Sequence, residues 1–111
     1  MIRAVIDRAS SGDIMGFEVY GHSGYAEAGK DIVCAAVSAI VQTAILGLMD
    51  VVGVEVIYDQ KPGKARCRLP EGLAEILREK ANIVLETMLY GLKSIQEGYG
   101  PYIKVEERRM R

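Results

Sequence analysis

The sequence predicts an α/β protein of the α+β type: one small domain, residues 1–111, with a mainly antiparallel sheet and two helices on one face. Three observations support this fold class. Half of the 111 residues are apolar, which is enough for a single core. Short alternating runs come in pairs separated by turn residues, as in hairpins, and two longer stretches have helical spacing. The predicted order is strand, strand, helix, strand, strand, helix, strand.

The chain begins with two predicted strands and a loop. In the first strand apolar and charged side chains alternate: Ile2, Ala4 and Ile6 against Arg3 and Asp7. A Ser-Ser-Gly-Asp sequence at residues 10–13 has the composition of a turn, and residues 14–20 form the second strand. Residues 21–30 contain three glycines and several polar side chains, so this segment is expected to be a loop.

The first predicted helix follows Asp31, whose side chain is suited to cap it. Its apolar residues continue from Ile32 for about five turns to a stop near Gly53. This run is apolar enough to raise the question of a membrane span. Polar side chains interrupt it, so we expect a buried central helix and no membrane contact. Four small residues along it would let another element approach closely: Ala35, Ala36, Ala39 and Gly47.

The second half of the sequence predicts another hairpin, a long helix and a last strand. Residues 54–59 and 64–69 alternate around a turn at residues 60–63. Pro70 is expected to open the second helix and Gly98 to end it, because the apolar residues between them recur at three- and four-residue spacing. A short strand near residues 102–105 follows, and the charged residues 106–109 are expected to form a frayed tail.

Composition and charge exclude several functions. Fourteen basic and fifteen acidic residues leave a net charge of -1, so we expect no direct contact with nucleic acid. The first residues are too polar for a signal peptide, which favours a cytoplasmic location. One histidine and two distant cysteines lack the paired spacing of a zinc site. Residues 24–31 follow a phosphate-binding loop pattern, but Asp31 replaces the required Ser or Thr, so we expect no cofactor.

The clearest candidate for chemistry is Cys34. With Asp31 as the cap, Cys34 is the third helical residue, where backbone N–H groups without internal partners stabilise a thiolate. His22, the one histidine in the chain, could accept the thiol proton and return it to a leaving amine. The pair therefore predicts a thiol-dependent enzyme, provided that the fold brings the two side chains together.

Each candidate residue also has a plainer interpretation. Cys34 could be a small buried residue in an apolar helix, and a lone histidine in a loop is often simply solvent-exposed. Asp31 could orient His22 as the third member of a triad, but its cap role alone explains its presence. Ser38 follows Cys34 by one helical turn and could bond a neighbour or its own helix. Cys67, between two arginines on a strand, is expected to face the core.

Two segments carry a family resemblance. Residues 21–25 read GHSGY, and residues 29–38 read GKDIVCAAVS. A Gly-His loop joined at this spacing to such a helix start resembles the ribosomal-processing cysteine protease family (Prp). The similarity in length and element order extends over nearly the whole chain. Ser23 stands where many relatives have alanine, a small difference that does not affect the proposed chemistry.

The resemblance implies a protease that removes a short N-terminal extension from the precursor of a large-subunit ribosomal protein. His22 and Cys34 fall on the family's catalytic pair, and the family's Asp and Ser positions correspond to Asp31 and Ser38. It also implies a homodimer and a mobile loop that covers the active site. The expected loop residues are Ser23, Gly24 and Gly29.

Two rival functions remain open from the sequence. A non-catalytic dimeric module could hold a peptide or a ribosomal component and would need no reactive thiol. A thiol acyltransferase could use the same pair on a small ester or thioester. The reactivity of Cys34 and the choice between a peptide and a thioester substrate distinguish these functions from a protease.

Overall fold

A five-stranded sheet is covered on one face by two helices. A computed structural model describes residues 1–27 and 30–109. The predicted order of elements is confirmed, with these bounds: β1 Ile2–Arg8, β2 Ile14–Tyr20, α1 Ile32–Leu46 continuing as a π-helical segment Gly47–Val52, β3 Ile57–Lys61, β4 Lys64–Arg68, α2 Glu75–Tyr99 and β5 Ile103–Arg109.

The strands lie in the order β3-β4-β2-β1-β5. The β1–β2, β2–β4 and β3–β4 pairs are antiparallel, whereas β1 and β5 are parallel. The parallel pair is possible because α2 returns the chain to the end of the sheet at which β1 begins. The prediction of a mainly antiparallel sheet is therefore confirmed, and one parallel pair makes the sheet mixed.

The core lies between the sheet and the two helices. Four strands, β1, β2, β4 and β5, place buried side chains in it, whereas all five residues of β3 are exposed. Each helix turns its apolar side toward the sheet. The largest fully buried side chains belong to Phe17, Ile6, Ile14, Leu48, Leu85, Leu89, Leu92 and Ile103. Because the helices cover only one face of the sheet, the other carries most of the charged strand residues, as the exposed Arg66 illustrates.

Two glycines let the helices approach each other. A Cβ added at Gly47 would lie 3.3 Å from Val84 Cγ1, and one added at Gly91 would lie 3.2 Å from Ile40 Cδ1. Gly47 thus has the close-packing role predicted for it. The other small residues predicted for this role are exposed, so no described element of the same chain packs on them: Ala35, Ala36 and Ala39.

The first helix begins and ends where the sequence predicts. Asp31 caps its N-terminus, and Gly53, with φ at +87°, ends it. The continuous helix Ile32–Val52 is long and apolar enough to cross a membrane by length and composition alone, a test that core helices of soluble proteins also pass. About a third of its most apolar window is buried. The expected buried central helix is therefore buried along one side only.

The second helix begins later than predicted. Pro70 lies in an irregular segment before a turn at Glu71 and Gly72, and α2 starts at Glu75. Gly72 has φ at +72° in that turn, which is incompatible with a helical backbone. At the other end, Gly98 does not stop the helix, which continues to Tyr99. A glycine near a helix end costs stability but does not by itself break the hydrogen bonds of the last turn.

The last strand is longer than predicted, and the expected frayed tail is wrong. Residues 106–109 belong to β5 and pair in parallel with β1, with Asp7 opposite Arg108. Ion pairs join the two strands: the Arg108 guanidinium lies 2.8 Å from Asp7 Oδ1, and that of Arg3 lies 2.7 Å from Glu106 Oε1. The charge run has partners supplied by a strand about a hundred residues away, which local composition does not reveal.

Candidate active site

The N-terminus of α1 places Cys34 in its first turn. Asp31 Oδ1 accepts hydrogen bonds of 3.0 Å from the backbone N–H groups of both Val33 and Cys34, and the Ala35 N–H donates to the Asp31 carbonyl at 3.1 Å. The thiol of Cys34 is half-buried. The predicted cap and the predicted first-turn position of Cys34 are both observed. These backbone donors are consequently already engaged by Asp31.

The other oxygen of Asp31 is bound by Ser23. The Ser23 hydroxyl donates to Asp31 Oδ2 and accepts from the Tyr25 N–H at 3.1 Å, and Ser23 is buried. The hydrogen bond from Ser23, followed by that from the Cys34 N–H, lowers the pKa of Asp31 to about 2. Asp31 therefore joins the loop to the helix, and its recorded hydrogen bonds support the cap interpretation rather than a bond to His22.

His22 leaves the end of β2 and rests against the turn between β3 and β4. The Gly21 N–H donates to the Gly63 carbonyl at 2.9 Å, which ties the backbone before His22 to this turn. A Cβ added at Gly63 would lie 3.1 Å from His22 Nε2. The imidazole is exposed to solvent on its remaining sides. The position of His22 is thus set by a strand pair and a turn rather than by α1.

His22 and Cys34 line the same cavity. It has a volume of about 220 Å³ and lies between α1 and the β3–β4 hairpin. Ser38 lies on the same side of α1 as Cys34 and contributes to the wall. The opposite wall comes from the hairpin: Tyr58, Gln60, Lys61, Gly63 and Lys64. The fold therefore brings the predicted pair together at one opening.

A second cavity, with a volume of about 590 Å³, lies on the loop side of Cys34. It shares His22, Cys34 and Ser38 with the first cavity and adds residues of the loop and the helix start: Gly24, Ala26, Asp31 and Ala35. The thiol is therefore open on both sides. A chain passing over Cys34 could occupy the hairpin-side cavity with one half and the loop-side cavity with the other.

The first part of the loop between β2 and α1 packs against the C-terminal part of the protein. The Tyr25 ring makes edge-to-face contacts with Tyr99 at 5.8 Å and with Tyr102 at 5.1 Å between centroids. Gly24 has φ at +73° and open space around its α-carbon. Gly29, the other glycine predicted to shape the loop, lies outside the described residues.

Cys67 has an environment opposite to that of Cys34. It faces the core from β4, as predicted, and is 1% exposed. Burial raises the pKa of the Cys67 thiol to about 11, so this sulfur stays protonated near neutral pH. Neither cysteine is in a disulfide. Within residues 1–27 and 30–109, no group of three or more His, Cys, Asp or Glu side chains is arranged to hold a metal ion.

The hairpin wall and the Tyr25 contacts are the parts of the site that the sequence did not predict. The hairpin residues follow Cys34 by more than twenty positions, and only the register in which Tyr20 faces Lys64 brings them beside His22. The Pro62-Gly63 sequence predicts a turn, but nothing in its composition indicates that a histidine side chain lies beside it.

Comparison with known proteins gives a consistent result. The model of the family described as "Cysteine protease Prp" matches residues 1–104. The ribosomal processing cysteine protease Prp of Bacillus subtilis is 35% identical over 107 residues, covering 95% of this chain and 96% of that protein. Its namesake from Staphylococcus aureus strain Mu50 is 31% identical over 108 residues, covering 95% and 97%.

Solved structures show the same fold. The S. aureus ribosomal processing protease Prp with a covalently linked product peptide superposes with a TM-score of 0.88 at 24% identity, covering 97% of this chain and all of that chain. SMU.848 from Streptococcus mutans superposes with a TM-score of 0.78 at 26% identity, covering 99% of this chain and 96% of that chain. With a family match over nearly its whole length and relatives above 30% identity, this chain belongs to the Prp family of cysteine proteases.

Proposed function

We propose that this protein is a cysteine endopeptidase in which Cys34 is the nucleophile and His22 the general base. The observation that carries the proposal is the cavity lined by both side chains. Cys34 lies in the first turn of α1, and the chain contains one imidazole, which lies at the same opening. A nucleophile with an adjacent base is the arrangement that acyl transfer requires.

The proposed reaction has two halves. His22 takes the Cys34 proton, the sulfur attacks the scissile carbonyl, and the resulting tetrahedral intermediate collapses as His22 gives the proton to the leaving amine. A thioester then links Cys34 to the N-terminal fragment. Water, deprotonated by His22, attacks this thioester and releases the fragment with a new carboxylate while the thiol regains its proton.

Ser38 is our candidate for support of the developing oxyanion. The first-turn N–H groups of Val33 and Cys34 donate to Asp31, so they are not free to bind a carbonyl oxygen. The Ser38 hydroxyl is exposed, lies one turn beyond Cys34 and faces both cavities. A hydroxyl at this position can donate to an oxygen held over the thiol.

The proposed substrate is the precursor of a large-subunit ribosomal protein that carries a short N-terminal extension, cleaved in the cytoplasm. Two observations support this substrate. Relatives named as ribosomal processing proteases match this chain over nearly the whole length of both proteins, and cavities lie on both sides of Cys34. An extended peptide can lie across such an opening, with the extension on one side of the thiol and the mature protein on the other.

We also propose that the protein functions as a homodimer. The outward side of α1 exposes large apolar residues, and α2 adds more beside it. Large exposed apolar patches on soluble proteins are often interaction surfaces, and a second copy that presents the same face is the partner we propose. The large exposed apolar residues of the two helices are Ile32, Leu46, Met49, Val51, Ile76, Ile83, Tyr90 and Tyr99.

The test is mass spectrometry of an extended ribosomal-protein precursor incubated under reducing conditions with wild type, Cys34→Ala, His22→Ala or Cys67→Ala. We expect one cut by wild type and by Cys67→Ala, no cut by Cys34→Ala, and a loss of at least about a hundredfold for His22→Ala. Binding without cleavage by all four proteins would instead favour a non-catalytic binding module. Consumption of a thioester with an intact peptide would favour an acyltransferase.

A further inference from the structure

The turn between β3 and β4 lies so near the His22 ring that a side chain added to it would meet the ring. A Cβ built on Gly63 would lie 3.1 Å from His22 Nε2 and 3.3 Å from Cε1. Carbon atoms at optimal separation are about 3.5–4.0 Å apart, so a methyl group at Gly63 would fit only if the imidazole moved by a few tenths of an ångström. The ring therefore lies beside Gly63 with no spare space for a side chain.

The same residue also holds the backbone that carries the ring. The Gly21 N–H donates to the Gly63 carbonyl at 2.9 Å, one residue before His22. Gly63 thus contacts both the main chain leading into His22 and the end of its side chain. A side chain with two attachments to one residue has fewer accessible orientations than one anchored by its backbone alone.

The turn itself is well suited to act as a fixed surface. It contains only Pro62 and Gly63, since the flanking Lys61 and Lys64 are already paired in the ladder. Proline fixes its own φ, and Gly63 adopts φ at +76°, a conformation that other residues rarely take. On its other side β4 pairs with β2, whose last residue, Tyr20, faces Lys64.

We infer that Gly63 is a positioning residue for His22. The turn limits the orientations of the imidazole and keeps it at the cavity that Cys34 lines, so the base is already positioned when substrate binds. This inference rests on the proposed function of His22 as the general base. It goes beyond that function because it assigns the orientation of the base to a residue that supplies no reacting group.

The chain offers a matched control in Gly72. Gly63 and Gly72 have φ at +76° and +72°, so an alanine at either position meets the same backbone strain. A Cβ at Gly72 has no heavy atom within 4 Å, whereas a Cβ at Gly63 meets the imidazole. Any difference between Gly63→Ala and Gly72→Ala therefore reports the contact with His22 and not the strain of the turn.

The activity test compares these two variants in cleavage of the precursor and in alkylation of Cys34 across pH. We expect both to lose similar thermal stability, while only Gly63→Ala loses about tenfold to a hundredfold in kcat with little change in KM. The pH profile of Cys34 alkylation in Gly63→Ala should move toward that of His22→Ala. Equal kcat values and equal profiles for the two glycine variants would overturn the inference.

A second measurement uses wild type alone and does not depend on catalysis. Because the chain has one histidine, its imidazole C–H protons give a single set of NMR signals. We expect a nuclear Overhauser effect between the His22 ring and the Gly63 α-protons, and its absence would overturn the inference. If the effect is present but His22→Ala retains full activity, the proposed function fails and the packing stands. Should Gly63→Ala not fold, Gly63→Asn and Gly72→Asn form a less strained pair.

Discussion

The two cysteines of this protein differ in the properties that govern thiol reactivity. Cys34 is half-buried in the first turn of a helix and opens onto two cavities, whereas Cys67 is enclosed in the core with a pKa raised to about 11 by burial. Only a thiolate reacts at an appreciable rate. The two surroundings therefore predict different reactivities for the same residue type.

We predict that iodoacetamide at pH 7 alkylates Cys34 and leaves Cys67 unmodified in the folded protein, because burial keeps Cys67 protonated and inaccessible. Peptide mapping by mass spectrometry measures both sites. The Cys34→Ala variant should remain unmodified, and unfolding in urea should expose Cys67. Equal slow rates at the two cysteines of folded wild type would contradict the prediction and weaken the case for a protease.

Asp31 should make stability depend on pH in the acid range. Its carboxylate is stabilised by the Ser23 hydroxyl and by backbone N–H groups, so its pKa falls to about 2 from an ordinary value near 4. A carboxyl group whose pKa is lower in the folded than in the unfolded state stabilises the fold at pH values above its unfolded-state pKa. This stabilisation is lost as the pH falls through the folded-state pKa.

We therefore predict that Asp31→Asn has a lower Tm than wild type at pH 7, and that the gap narrows as pH falls from about 4 to about 2. Asp31→Ala should be less stable than Asp31→Asn, since asparagine still accepts the cap hydrogen bonds. Thermal unfolding followed by circular dichroism measures each Tm. A gap that stays constant down to pH 2 would show that the charge of Asp31 does not stabilise the helix start.

Arg8 joins three elements of the fold. From β1 its guanidinium donates two hydrogen bonds of 2.9 and 2.8 Å to Glu86 on α2 and one of 2.8 Å to Glu107 on β5. Lys93 also contacts Glu107, at 3.1 Å. These bonds raise the pKa of Arg8 and lower those of both glutamates. Only the planar fork of arginine can make all three bonds at once.

We predict that Arg8→Lys lowers the free energy of unfolding by about 1 to 2 kcal/mol, a range reduced for solvent screening because Glu86 and Glu107 are each about 40% exposed. Urea denaturation measures the change. The matched control is Arg3→Lys, since the Arg3–Glu106 pair is exposed at both ends and should contribute less than about 0.5 kcal/mol. Equal effects of the two substitutions would mean that the Arg8 contacts are no stronger than a surface ion pair.

The elements themselves were predicted to different degrees. Both hairpins and the start of α1 follow from local signals, namely alternation, turn residues and the Asp31 cap. The start of α2 and the length of β5 were mispredicted because they depend on contacts made elsewhere. Residues 106–109 are charged and look like a tail, yet cross-strand ion pairs with β1 hold them in the sheet.

In the whole molecule the helix layer has two different surfaces. Its inner side closes the core, while its outer side exposes apolar residues of both helices, with Val51 at 84% and Tyr90 at 71% exposed. The chain alone therefore leaves a face that a second copy could cover. In a two-fold dimer each substitution on this face acts twice, once from each subunit.

We predict that light scattering coupled to size-exclusion chromatography gives wild type a mass of twice its chain mass of 12.2 kDa, and that Leu46→Lys elutes as a monomer. Leu46 is 56% exposed on α1, so the monomer itself should lose little stability. The control is Ile57→Lys, which adds the same charge at a residue 63% exposed on β3. Monomeric wild type at a concentration of tens of micromolar, or dimeric Leu46→Lys, would contradict the proposed interface.

Sequence alone determined the element types, the cap at Asp31, the buried position of Cys67 and the candidate pair of His22 and Cys34, because each depends on periodicity, turn chemistry or residue type within a short segment. The tertiary structure decided what these residues meet. Strand register brings the Pro62-Gly63 turn under the imidazole, and Ser23 occupies the Asp31 oxygen that a triad would need. Such contacts join positions far apart in the chain, and their geometry depends on the register of the sheet and the packing of the helices, which local patterns do not encode.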